Sequence, residues 1–95
     1  MERVTLSFDI SEAQLDYDGA SDLRQDISSR LDNALKSANS GKWFGCSYTK
    51  DNIDIFVRVE DYQQALQIIQ DTLKDHWLLP LMEISRQSDQ KPRDR

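Results

Sequence analysis

The 95-residue chain predicts an α+β domain with the order strand, helix, strand, strand, helix, strand. Three observations carry that prediction. Residues 22–38 and 62–77 place apolar side chains three and four apart, the spacing of one helix face. Residues 3–10, 42–49 and 53–59 alternate apolar and polar side chains, the period of a half-buried strand. A short apolar run after Pro80 closes the chain with a fourth strand. The length leaves no room for a second domain of comparable size.

The first strand sets Val4, Leu6, Phe8 and Ile10 on one side and Arg3, Thr5, Ser7 and Asp9 on the other. Residues 11–20 lose the alternation and hold Asp16, Asp18 and Gly19, which reads as a loop with at most a short helical turn. Ser21 is placed to cap the first helix and Asp22 to meet its positive end. Leu23, Ile27, Leu31, Ala34, Leu35 and Ala38 form its apolar stripe, and Asn39-Ser40-Gly41 stops it.

Phe44, Cys46 and Tyr48 mark the inner side of the second strand, and Ile53, Ile55, Val57 and Val59 that of the third. A two-residue turn at Asp51-Asn52 pairs Tyr48 with Ile55, Cys46 with Val57 and Phe44 with Val59, which puts both sets on one face. Asp61 with Gln64 three residues on fits a capping box. Tyr62, Ala65, Leu66, Ile69, Leu73 and Trp77 then mark the second helix, with Lys74 and His76 in its last turns. Residues 81–86 make the final strand. The expected domain spans 1–86, and 87–95 reads as a disordered polar tail.

This order is the ferredoxin-like split βαβ arrangement. It implies a four-stranded antiparallel sheet in the order 4-1-3-2, with both helices on one face. The open face is then mostly polar, with Trp43 and Phe56 as its two large apolar side chains. In the expected register they stand about 13 Å apart, four pair positions along neighbouring strands. Either a loop or a second copy covers them, or they anchor a partner.

Charge is distributed unevenly. The net charge is −5, from 17 acidic and 12 basic side chains. Residues 1–22 hold Glu2, Asp9, Glu12, Asp16, Asp18 and Asp22 against Arg3 alone, so this segment carries the entire excess. A dense anionic stretch is either a solvated face or a surface that steers a basic partner. The net negative balance argues against nucleic acid as a partner, since phosphate neutralisation needs clustered Lys and Arg. No stretch approaches the roughly 20 apolar residues of a membrane span. The N-terminal residues lack the apolar core of a secretory signal, which points to a cytoplasmic protein without membrane contact.

Few residues offer chemistry. Cys46 is the lone cysteine and reads as a small inward hydrophobe. With a single His76 and no CxxC, a Cys/His zinc site is not expected. Asp16-Tyr17-Asp18-Gly19 has only a fragment of a calcium-loop pattern. Glycines 19, 41 and 45 stand alone and make no phosphate loop. The outward positions of the central strands carry one aromatic and two carboxylates, a poor match to base-stacking versions of this fold. No nucleophile–base pair is visible, so the expectation is a non-enzyme with no metal and no cofactor.

The run Gly41 to Val59 (GKWFGCSYTKDNIDIFVRV), continued by Glu60-Asp61-Tyr62-Gln63-Gln64-Ala65-Leu66, resembles small single-domain bacterial proteins. In these a Gly-containing strand leads into a strand–helix joint and a closing Leu-Pro plus short strand, here Leu79-Pro80 to Arg86. Some small acidic proteins of this kind are immunity proteins that bind and block a cognate toxin. The resemblance implies a protein-binding module that neutralises a basic toxin, such as a nuclease, by occluding its active site. Charge and exposure nominate Asp9, Glu12, Asp16, Asp18, Asp22, Trp43 and Phe56 as its partner-binding residues. The alternative is a small-ligand sensor resembling ACT-type regulatory domains, which share the element order. Against it, the loop after the first strand lacks their Gly-rich turn. A homodimer through an edge strand or the open face stays open.

Overall fold

Alternation in the first strand is carried into the structure residue for residue. In the computed structural model, which describes residues 2–88, Val4, Leu6 and Phe8 of β1 (Glu2–Asp9) are buried while their neighbours are not. The same holds for Ile53, Ile55, Val57 and Val59 of β3 (Asn52–Val59). β1 also pairs with β4 (Met82–Ser88), and β3 with β2 (Gly41–Tyr48). The antiparallel sheet runs β2-β3-β1-β4, the expected ferredoxin-like order read from its other edge. β4 takes in Gln87 and Ser88, two residues beyond the expected domain end. The rest of the expected tail lies outside the described residues.

One face of the sheet meets two helices, α1 (Tyr17–Ser37) and α2 (Tyr62–Leu73). Ile27, Leu31 and Leu35 of α1 and Ala65, Ile69 and Leu73 of α2 complete the core with the strand residues. Fully burying each large aliphatic side chain contributes about 1.5–3 kcal/mol. Asp61 caps α2 as expected, accepting the N–H groups of Gln63 and Gln64.

Several local expectations are corrected. α1 begins at Tyr17, not near residue 22, because Asp16 rather than Ser21 is its cap: the Asp16 carboxylate accepts the Gly19 N–H at 2.7 Å. Ser21 instead accepts from Arg24. α2 ends at Leu73, so Lys74, His76 and Trp77 lie beyond it. Leu78 takes the buried position, and the His76 Nδ1 accepts the Leu78 N–H.

The hairpin turn falls one residue early. Thr49 Oγ1 accepts the N–H groups of Asp51 and Asn52, and Tyr48 pairs with Ile53, not Ile55. Cys46 pairs with Ile55 rather than Val57. β2 then breaks register between Trp43 and Gly45, leaving Phe44 as the extra residue of a bulge. A one-residue insertion flips the faces beyond it. Trp43 therefore turns inward against the core, while Phe44 is exposed beside Phe56, their ring centroids 6.2 Å apart. The expected positions of Trp43 and Phe44 are thus exchanged.

Candidate functional site

The sheet end where β1 finishes builds the candidate site. The Asp9 carboxylate accepts the Ser11 N–H at 3.0 Å and the Ser11 hydroxyl at 2.7 Å, which bends the chain out of the strand. These two hydrogen bonds hold the Asp9 pKa below the usual carboxylate value. Ile10 is buried and donates its N–H to the Asp51 carbonyl. Ser11–Ala13 follow as a turn of 3-10 helix, and Gln14 adopts a left-handed conformation before Leu15 packs on the core.

Across from this segment runs the chain leaving α2. The buried Leu78 anchors it, and a second 3-10 turn, Leu79–Leu81, follows with Pro80 inside. Because Leu78 faces inward, Trp77 is left half exposed, and Leu81 is exposed as well. The two segments frame a groove of about 680 Å³ lined by Asp9, Glu12, Ala13, Leu15, Trp77 and Leu81. Four of those six residues are apolar, and the other two are carboxylates.

Asp9 and Glu12 are thus the two sequence-nominated residues that the fold brings into one groove. Asp16, Asp18 and Asp22 step along the start of α1 instead, all exposed, with Asp16 committed to capping. Among the described residues, none of these five carboxylates lies within ion-pair distance of a lysine, arginine or histidine. Arg30 pairs instead with Asp26, Lys36 with Asp32, and Arg86 with Glu2.

Trp43 and Phe56 do not join the groove. Trp43 packs under α1, where the Asp32 carboxylate accepts its backbone N–H at 3.0 Å. Phe56 sits on the open sheet face beside Phe44, whose ring also lies 5.2 Å from the Arg58 guanidinium. The residues that sequence reasoning missed are Ala13, Leu15, Trp77 and Leu81. Trp77 fits the helical spacing of α2 and so reads as core. The signal against that reading was Pro80, whose ring disfavours helix in the residues before it.

Among the described residues no helix is long and apolar enough to cross a membrane, and no group of three His, Cys, Asp or Glu side chains could hold a metal ion. Comparison with protein-family models, with characterised proteins and with solved structures returned no match for this chain.

Proposed function

We propose that the chain is a non-catalytic binding module whose groove at the end of β1 receives a basic, partly apolar segment of another protein. The observation that carries this reading is the pairing of two unneutralised carboxylates, Asp9 and Glu12, with two exposed apolar side chains, Trp77 and Leu81, in one groove. Apolar surface supplies affinity at about 25 cal/mol per Å² removed from water. Carboxylates supply selection by charge and speed the encounter. Asp18 and Asp22 extend the same negative field along α1.

Neutralisation of a basic toxin is the form of this role we favour. The carboxylates would stand where the phosphates of a nuclease's substrate stand, and Trp77 would anchor the contact. Aromatic anchors surrounded by polar rims are the usual carriers of interface energy.

The test is a titration of the protein with a synthetic peptide of lysines flanking one leucine, read by Trp77 emission in a Trp43→Phe background. Saturable binding that weakens about tenfold or more between low and physiological salt is expected. Trp77→Ala and Glu12→Gln, each compared with the native chain by calorimetric titration of the same peptide, should weaken it at least about fivefold, near 1 kcal/mol. Equal binding of an acidic peptide of the same length, or unchanged binding by both variants, contradicts the proposal.

A further inference from the structure

Away from the groove, unsatisfied polar atoms cluster at a separate cavity. Three of the side-chain atoms buried without a hydrogen-bond partner are Arg24 Nε, Ser28 Oγ and Trp43 Nε1. All three belong to residues lining one cavity of about 360 Å³ between α1 and β2, whose other lining residues are Gln25, Ser29 and Asp32. Leaving a buried donor unpaired costs about 1–3 kcal/mol, so native structures hold few such atoms. Packing alone does not favour gathering three of them at one cavity.

The chemistry of the three atoms is uniform. Each carries an N–H or O–H donor, and each lacks an acceptor. Arg24 is held in place: its Nη2 donates to Ser21 Oγ at 3.0 Å, its Nη1 lies 3.9 Å from Cys46 Sγ, and its guanidinium sits 4.9 Å from the centre of the Tyr48 ring. No carboxylate pairs with it among the described residues. The one acid in the lining, Asp32, is already used by Lys36 at 3.1 Å and by the Trp43 backbone N–H at 3.0 Å. The lining therefore carries one positive charge without a counter-ion.

We propose that this cavity binds a small carboxylate, whose oxygens accept from the Arg24 guanidinium, the Trp43 indole N–H and the Ser28 hydroxyl. A monoanion matches the single uncompensated charge, and the neighbouring Asp32 disfavours a dianion such as phosphate. The volume lies near the small end of ligand pockets, which run from roughly 300 to 1,000 Å³. Ser28 is only 7% exposed and the three donors lie just under the cavity surface, so occupancy needs a side-chain rotation at Arg24 or Gln25.

The indole N–H signals of the labelled protein report on this site directly. Trp43 is distinguished from Trp77 with a Trp77→Phe variant. Sodium acetate is titrated against sodium chloride at matched ionic strength, with inorganic phosphate as a third arm. The expected result is a Trp43 signal that moves saturably with acetate, half-complete below about 20 mM, and does not move with chloride. Arg24→Gln and Ser28→Ala should each weaken the response at least tenfold. If Arg24→Gln fails to fold, Ser28→Ala decides. A drift that never saturates, an equal response to chloride, tighter binding of phosphate, or an unchanged response in Ser28→Ala overturns the proposal. So does a Trp43 indole that contacts long-lived water and ignores acetate. The basic peptide's binding at the groove should survive both substitutions, which separates this site from the first.

Discussion

The Asp32 carboxylate of α1 accepts the Trp43 backbone N–H of β2 at 3.0 Å, at the point where the strand leaves its register. A bulge frees a backbone donor that the ladder would otherwise take, and here a helix side chain takes it. The same carboxylate meets Lys36 one turn along α1. One side chain thus fixes both the helix–strand contact and the face on which Trp43 lies.

Trp43 and Phe44 should differ sharply on truncation. Trp43 packs against the core and Phe44 is exposed. Trp43→Ala should cost about 2–4 kcal/mol and Phe44→Ala under about 1 kcal/mol, measured by urea denaturation. Simple alternation along β2 demands the opposite ranking.

Asp32 should make stability depend on pH. Partial burial pushes its pKa up, but the Trp43 N–H and Lys36 outweigh that and hold it below the usual aspartate value. A carboxyl with a lowered folded-state pKa adds stability above its unfolded pKa, about 3.9. That contribution is lost as pH falls through the lower folded-state value. The native chain should therefore exceed Asp32→Asn in stability near neutral pH, and the gap should close as acid takes the pH below the unfolded value and through the lowered folded-state one. A gap that is constant with pH contradicts this assignment.

Gly41 should tolerate no side chain. A Cβ there would stand 2.1 Å from the Arg58 carbonyl oxygen, far inside contact distance. The obstacle is backbone of the neighbouring central strand, which cannot rotate away. Gly41→Ala should cost roughly 2 kcal/mol or more, while Gly45→Ala, whose nearest neighbour is the Phe56 ring at 3.5 Å, should cost less. Thermal melts of the two variants compare them directly.

Much of this fold was legible because its signals are local. Val4, Leu6 and Phe8 alternate without interruption, and Asp61 caps α2 from the expected position. Both strand order and helix placement follow from the sequence of elements once crossovers are right-handed. Features set by distant partners were not legible. At the β2 bulge the freed Trp43 N–H meets Asp32, eleven residues away, and at the hairpin turn the Thr49 hydroxyl accepts the N–H groups of Asp51 and Asn52, contacts that turn propensity at Asp51-Asn52 does not register. Asp16 rather than Ser21 caps α1, and since both residue types suit that role, cap preference by itself does not rank them. In the candidate site, the carboxylates were visible as charge density, but Trp77 was not. Its exposure follows from Leu78 claiming the core, a competition that helical spacing cannot rank.

The groove reading is tested most directly by mapping backbone amide signals of the labelled protein as the lysine–leucine peptide is added. The account predicts that the largest changes fall on residues 9–15 and 77–81 together and fade as salt is raised. Changes centred on Phe44 and Phe56 of the open sheet face, or spread evenly over every exposed carboxylate, would contradict it.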